Sequence, residues 1–267
     1  MVSTTAMETR AELAGLLDRA GTLDEAARAG EELFGIAATL RAEPALRRVA
    51  TDAAVEEDAK TGLVGNVFGG SVGEVALAVV TEAVRRRWTI SSDLPAVLEQ
   101  LGVVATVRSA GARSDQISGE LFALGGLIEA NPELRGALAD SSRSADDRAA
   151  LLRGLLDGKV LPATLALVEH AVALGTGTVE RAIAEFQEVA AEVQGEILAT
   201  VRAAQELSDA DRDRLSRALG SQYGRDVRLQ VVVDPDLVGG LRVEIGDDVI
   251  DGTVSSRLDD ARRKLAG

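Results

Sequence analysis

Two segments of the chain repeat each other without a gap. This repeat restricts which folds the first two thirds of the sequence can adopt. Residues 33–52 read LFGIAATLRAEPALRRVATD, and residues 121–140 read LFALGGLIEANPELRGALAD. The same register, a shift of 88 residues, continues downstream to Val84 and Val172. Two unrelated helices rich in alanine and leucine would not keep one register over that distance. We therefore interpret the repeat as the duplication of one helical module.

Within each copy the pattern predicts short amphipathic helices that form a bundle. Leu33, Ile36 and Leu40 lie on one helical stripe, and their counterparts in the second copy do the same. Pro44 and Pro132 are expected to end that helix and to begin the next, because proline disfavours a helical residue before it and tolerates the first helical position. Further helices are predicted at 63–68, 72–87, 151–156 and 160–174, with a helix at 92–120 that could run from one copy into the next.

Near residue 195 the hydrophobic period changes from helical to alternating, which indicates half-buried strands. The predicted strands are 197–203, 227–233, 241–245 and 249–250. A helix capped by Ser208 and closed by Gly220 and Gly224 is expected between the first two strands. A turn at 246–248 follows the third strand, and Thr253 is expected to cap a final helix.

The predicted fold is therefore mainly α: two similar N-terminal helical bundle modules, followed by a small α+β C-terminal domain. The predicted boundaries are 1–105 for the first bundle copy, 106–192 for the second and 193–267 for the C-terminal domain.

Composition argues against several classes of function. The chain has 29 basic and 43 acidic residues, a net charge of −14, which would repel nucleic acid and an anionic membrane surface and favours basic protein partners. Aromatic residues make up only 2%, and there is no cysteine, so aromatic-walled pockets and thiolate chemistry are not expected. Because no signal core or long apolar stretch is present, we expect a cytosolic protein, or one that lies peripherally on the cytosolic side of a membrane.

No pattern of catalytic residues emerges. The only histidine, His170, lies in an apolar helical stretch, where a structural role is the simpler interpretation. Residues 154–160 imitate a phosphate-binding loop but are one residue short and lack its Ser/Thr. Gly175 and Gly177 follow no strand, so a dinucleotide site is not expected there. The three aspartates of the predicted C-terminal turn, which could attract a cation but fit a solvated turn better, are Asp247, Asp248 and Asp251.

One ordered set of residues in the C-terminal domain carries more information. After the aliphatic run that ends at Val233, an Asp-Pro step breaks the strand, a Gly-Gly pair gives backbone freedom, and an Asp-Gly pair follows the short last strand. We call the following nine the signature residues: Asp234, Pro235, Leu237, Gly239, Gly240, Val243, Gly246, Asp251 and Gly252.

In this order, together with Thr253-Val254, the signature residues closely resemble the C-terminal signature of the ATP synthase delta subunit, the family that includes the oligomycin-sensitivity-conferring protein. The resemblance implies a non-catalytic peripheral-stalk (stator) subunit. Its helical domain would grip N-terminal helices of the alpha subunit on the catalytic head, and its C-terminal domain would hold the C-terminal end of subunit b. No cofactor, no nucleic acid and no insertion into the membrane is implied, and the expected location is the cytoplasmic face of the cell membrane.

The chain departs from the usual pattern of that family by carrying two helical copies, as actinobacterial members do. Arg87-Trp88 and the segment LPAVLEQL at 94–101 resemble the family's helical domain and occur only in the first copy. Gly175 and Gly177 would loosen helices of the second copy. We therefore expect the first copy to grip the head and the second to act as a spacer, although the second copy is the one next to the C-terminal domain.

Two other functions stay open on the sequence alone. The chain could be a free-standing adaptor built from helical repeats and unrelated to ATP synthase. It could also be an enzyme that uses Gly239-Gly240 as a phosphate loop.

Overall fold

The protein, seen in a computed structural model, is helical up to residue 193, and the described residues beyond it form a four-stranded sheet and a helix between the first two strands. The structure describes residues 3–140, 142–175, 177–237, 239–246 and 248–254. Its contacts separate two compact units, Met1–Ala190 and Ala191–Gly267. The predicted fold class, mainly α with a C-terminal α+β domain, is confirmed.

The first unit is built from helices and two short 3-10 turns, Gly15–Arg19 and Gly111–Arg113. The helices are α1 (Thr4–Ala14), α2 (Leu23–Ala42), α3 (Pro44–Thr51), α4 (Glu57–Phe68), α5 (Glu74–Arg85), α6 (Asp93–Arg108), α7 (Ser114–Ala130), α8 (Pro132–Ala139), α9 (Ala145–Leu156), α10 (Pro162–Ala173) and α11 (Val179–Val193).

Local signals set several of these helix ends. Thr22 and Glu25 form a capping box at the start of α2, so two backbone N–H groups that the helix leaves without partners are satisfied. Pro44 and Pro132 occupy the first positions of α3 and α8, as predicted. The two predicted stripes are almost wholly buried, with Leu33 and Leu121 both inaccessible to solvent. These positions of the prolines and of the apolar stripes confirm the helical reading of both copies.

The repeat is also visible in the element bounds. A shift of 88 residues carries α3 onto α8, α4 onto α9 and α5 onto α10 without any change of length. One expectation was wrong: residues 92–120 do not form a continuous helix. The chain breaks after Arg108 because Gly111 adopts φ +58, a left-handed conformation that an α-helix excludes.

Helix α6 lies at the centre of this unit. It packs against α1 and α2 on the side of the first copy and against α7 and α10 on the side of the second. Its leucines and valines are buried on every face of the helix, as expected for a helix that other helices surround. The boundary predicted between residues 105 and 106 falls within α6, and the division into three domains stays a prediction.

The second unit has the elements β1 (Glu196–Ala203), α12 (Asp209–Tyr223), β2 (Asp226–Val233), β3 (Leu241–Ile245) and β4 (Asp248–Asp251). The strand order is β2-β1-β3-β4, with β1 parallel to β2 and the other neighbours antiparallel. Ser208 caps α12 through the backbone N–H of Asp211, and Gly224 ends it at φ +67. The core of the unit consists of Ala199, Val201, Leu219, Val227, Val243 and Ile245.

Two predictions for this unit fall on residues that the structure does not describe: the place of Asp247 in the turn, and the final helix beyond Val254. Among the residues that are described, no helix has the length and apolar character needed to cross a membrane.

Candidate partner-binding sites

The first signature residues form the turn that ends β2. The backbone N–H of Asp234 donates to the carbonyl of Ala203 at 2.8 Å, so the turn is fastened to the end of β1. The Asp234 side chain accepts from the N–H of Asp236 at 3.0 Å, and its carbonyl accepts from Leu237 at 3.2 Å. Pro235 is exposed and Leu237 half-buried. Asp234 therefore shapes this turn with both its backbone and its carboxylate.

The Gly-Gly pair lets two stretches of backbone pass close to each other. Gly240 has φ +86, and a Cβ atom there would lie 2.8 Å from the Cα of Thr253 and closer still to the carbonyl oxygen of Gly252. Gly239 accepts a hydrogen bond from Val254 at 3.0 Å, and Leu241 accepts one from Gly252 at 2.9 Å. The chain's own backbone thus occupies the space beside Gly240 that a phosphate loop would leave to its ligand.

The remaining signature residues complete the same structure. Val243 is buried and lies opposite Ile250 in the β3–β4 pairing, and Gly246 turns the chain at φ +55. Asp251 accepts from the Thr253 N–H at 2.9 Å and from its hydroxyl at 2.7 Å, and these hydrogen bonds lower the pKa of the Asp251 carboxyl. Hydrogen bonds to Gly239 and Leu241 thus hold the stretch 251–254, which contains the signature residues Asp251 and Gly252, beside the Gly-Gly pair, while Val243 and Gly246 lie in β3 and in the turn after it.

Exposed apolar side chains accompany the signature residues, and the sequence analysis did not identify them as a surface. Val249 is 53% exposed and Val233 44%, and the other two exposed apolar residues of this region are Ile250 and Val254. Exposed apolar groups of this size are candidates for contact with a partner. The signal that could have found them is the position of Val249 and Ile250 in a short strand at the edge of the sheet.

In the helical unit, His170 is packed rather than placed at an open site. Its ring stacks on Phe34 with ring centroids 3.6 Å apart, and the ring of Phe186, also nearly parallel to it, lies at 5.7 Å. Arg41 forms an ion pair with Glu99, whose carboxylate is 3.5 Å from His170 Nε2. Burial, and then the nearby charge of Arg41, lowers the pKa of His170 to about 4. The imidazole is therefore neutral at physiological pH.

The patterns that imitate catalytic motifs lie at helix ends and in turns. The phosphate-loop-like pattern at 154–160 begins in the last residues of α9 and continues into the connection to α10, where Gly158 has φ +69. Gly175 and Gly177 also have positive φ and lie between α10 and α11, so the expectation that they loosen helices was wrong. Asp248 accepts a hydrogen bond from the Tyr223 hydroxyl at 3.1 Å. Over the described ranges, no group of three or more histidine or acidic side chains could hold a metal ion.

Comparison with known proteins gives a consistent result. The family model "ATP synthase delta (OSCP) subunit" matches residues 103–265, which include all nine signature residues. The chain is similar to ATP synthase subunit delta of Nocardioides sp., with 54% identity over 92% of this chain and 90% of the relative. It is also similar to ATP synthase subunit delta of Thermobifida fusca, with 41% identity over 89% of this chain and 90% of the relative.

Among solved structures, a chain of the Toxoplasma gondii mitochondrial ATP synthase hexamer shares 17% identity and a TM-score of 0.38, covering 62% of this chain and 95% of that chain. That superposition is too loose to bear on the arrangement of the helices. The family match and the identity with the two bacterial relatives are sufficient to assign the family without that structure. The chain belongs to the ATP synthase delta (OSCP) subunit family.

Proposed function

We propose that this chain is the delta subunit of a rotary, proton-translocating ATP synthase, a non-catalytic peripheral-stalk connector between the catalytic alpha/beta head and subunit b. The observation that carries the proposal is the family match over residues 103–265, within which the signature stretch 251–254 is hydrogen-bonded to the backbone at Gly239 and Leu241. A stator subunit needs partner-binding surfaces rather than a reaction centre.

The two units are proposed to serve different partners. The helical unit contacts N-terminal helices of the alpha subunit, and the C-terminal unit holds the C-terminal end of subunit b. Exposed apolar residues beside the signature loops, such as Val249 and Val254, support a role of the second unit in partner contact. The net charge of −14 favours basic partner segments. The subunit acts at the cytoplasmic face of the membrane, as a peripheral component that neither inserts into the bilayer nor binds nucleic acid.

We expect the isolated protein neither to bind nor to hydrolyse ATP, because nucleotide sites belong to other subunits of the enzyme. The segment 154–160 consists of the end of α9 and part of the connection to α10, and the space beside Gly240 is filled by the chain's own backbone. Isothermal titration calorimetry of the pure protein with Mg-ATP measures this directly. Saturable heat with a stoichiometry near one per chain would contradict the prediction and would revive the phosphate-loop alternative.

The experiment that tests the proposed function is affinity capture of the tagged full-length protein from native membranes. We expect the alpha subunit and subunit b to be recovered together. In a matched capture with a variant whose C-terminal unit is destabilised, we expect the alpha subunit still to be recovered and subunit b to be lost. Recovery of the protein without any ATP synthase subunit would favour a free-standing helical adaptor.

A further inference from the structure

Two steps of the chain join an aspartate to a glycine, Asp157-Gly158 and Asp251-Gly252. Such a step can rearrange without an enzyme. The glycine nitrogen attacks the carbon of the protonated aspartate carboxyl, a C–N bond forms, and the amide proton leaves with the carboxyl hydroxyl as water. Water then opens the resulting succinimide ring. Opening at the main-chain carbonyl leaves the chain running through the side chain, as isoaspartate, and the water released is regained.

Ring closure requires that two groups approach each other within one dipeptide. The glycine N–H must not be engaged in a hydrogen bond, because its nitrogen is the nucleophile. The aspartate carboxyl must be able to turn, and the backbone must rotate about the Cα–C bond of the aspartate. Glycine in the second position favours the reaction because no Cβ atom hinders the approach.

The turn after α9 leaves the Asp157-Gly158 step without such restraints. Both residues are exposed, and a Cβ atom placed on Gly158 would meet nothing within 4 Å. The N–H groups on either side donate to carbonyls of α9, that of Asp157 to Arg153 and that of Lys159 to Leu156. Among the residues that the structure describes, neither the Gly158 N–H nor the Asp157 carboxylate has a hydrogen-bond partner.

Ring closure at this step requires only a local movement. Asp157 has ψ 128, so its Cα–C bond must rotate before the Gly158 nitrogen reaches the carboxyl carbon. Exposed turns with few packing contacts open locally at low free energy. Beyond the turn, the N–H of Leu161 donates to Glu120 at 3.0 Å, which holds the start of α10 in place. The rotation can therefore take place in the turn while the helices stay folded.

The Asp251-Gly252 step is restrained at both reacting groups. The Gly252 N–H donates to the Leu241 carbonyl at 2.9 Å, so the nucleophilic nitrogen is engaged. The Asp251 carboxylate accepts from the N–H and the hydroxyl of Thr253 at 2.9 and 2.7 Å. These hydrogen bonds favour the ionised carboxylate, which has no hydroxyl to lose as water. The same dipeptide is thus protected in the sheet and unprotected in the turn after α9.

We propose that Asp157 is a site of spontaneous isomerisation to isoaspartate in the folded protein, while the fold protects Asp251 from the same reaction. The product has one additional methylene in the main chain and an exposed α-carboxylate at residue 157. Isoaspartyl methyltransferases, which use S-adenosylmethionine, methylate that carboxylate, so Asp157 is a point of entry for repair by an enzyme of this class. The first copy has glycine, Gly69, at the equivalent position and therefore has no counterpart of this site.

The test is prolonged warm incubation of the full-length protein near neutral pH, followed by peptide mapping with electron-transfer fragmentation, which distinguishes isoaspartate from aspartate. We expect isoaspartate to accumulate at residue 157 at least about tenfold faster than at residue 251, because a hydrogen bond must break before Gly252 can react. In concentrated urea, where the fold restrains neither step, the two rates should agree within about threefold. The difference in the folded protein is then due to structure.

Asp157→Glu is the matched variant, because its longer side chain would have to close a less favourable six-membered ring. Treatment of incubated samples with an isoaspartyl methyltransferase and labelled S-adenosylmethionine should label the wild type strongly and this variant weakly. The variant should melt like the wild type, since Asp157 is exposed. Equal or faster isomerisation at residue 251 in the folded protein would overturn the proposal. So would a rate difference that persists in urea, or equal labelling of the two proteins.

Discussion

Replacing Gly240 with valine is expected to unfold the C-terminal α+β unit or to leave it marginally stable. At φ +86 a β-branched residue is strained, which costs on the order of 1–3 kcal/mol. The new Cβ would also lie 2.8 Å from the Cα of Thr253, a backbone atom that cannot rotate away. Overpacking of this kind costs about 1–3 kcal/mol more. The sum is a large share of the roughly 5–15 kcal/mol that stabilises a whole domain.

The matched control for this change is Gly246→Val. Gly246 also has positive φ, at +55, but nothing lies within 4 Å of a Cβ atom placed there, so only the backbone cost applies. Hydrogen exchange of the β3 and β4 amides reports on the C-terminal unit, and fluorescence of the single tryptophan, Trp88, reports on the helical unit. We expect Gly240→Val to lose amide protection and subunit b binding while Trp88 emission stays unchanged. Equal protection in the two variants would show that the close approach of residues 252–253 is not required.

The sequence predicts most of this fold because its signals are local. Proline at Pro44 and Pro132 stops one helix and starts the next through the geometry of a single ring, whatever surrounds it. Ser208 and Gly224 likewise act on backbone groups within a few residues. The signature residues are similar: the turn at Asp234 and the positive φ of Gly240 follow from residue types in a fixed order.

What the sequence could not supply is the set of contacts between distant segments. No local pattern shows that Phe34 stacks on His170, or that α6 packs against helices of both copies, because these contacts depend on how separate helices pack. The pattern of β2 was also only partly informative. Gln230 is buried and Val233 is 44% exposed, whereas strict alternation predicts an exposed Gln230 and a buried Val233. The reason is position, since residues at the centre of a strand are more buried than residues at its end. The break at Gly111 was missed for a related reason, since glycine is tolerated within many helices.

The titration of His170 is expected to make the helical unit less stable in mild acid. Burial of the ring, which stacks on Phe34 and Phe186, lowers the pKa of His170 to about 4, against about 6.5 for an exposed histidine. Between these values the unfolded chain binds a proton that the folded chain does not, so the free energy of unfolding rises with pH. The contribution of neutral His170 to the free energy of unfolding is fully present above pH 6.5. It is lost as the pH falls toward 4, where the loss reaches about 3 kcal/mol.

Comparison with His170→Phe isolates this effect from the titration of carboxylates, because phenylalanine keeps an aromatic ring in the stack and cannot be protonated. Urea unfolding of both proteins at pH 7 and pH 4, followed through Trp88, should show the wild type losing about 3 kcal/mol more than the variant. Since His170 is the only histidine, its imidazole gives a single C2–H resonance in an NMR titration of the folded protein. We expect the midpoint of this titration near pH 4. A midpoint near 6.5, together with equal acid sensitivity of the two proteins, would mean that the ring is solvated and that Phe34 of α2 does not pack on α10 in solution.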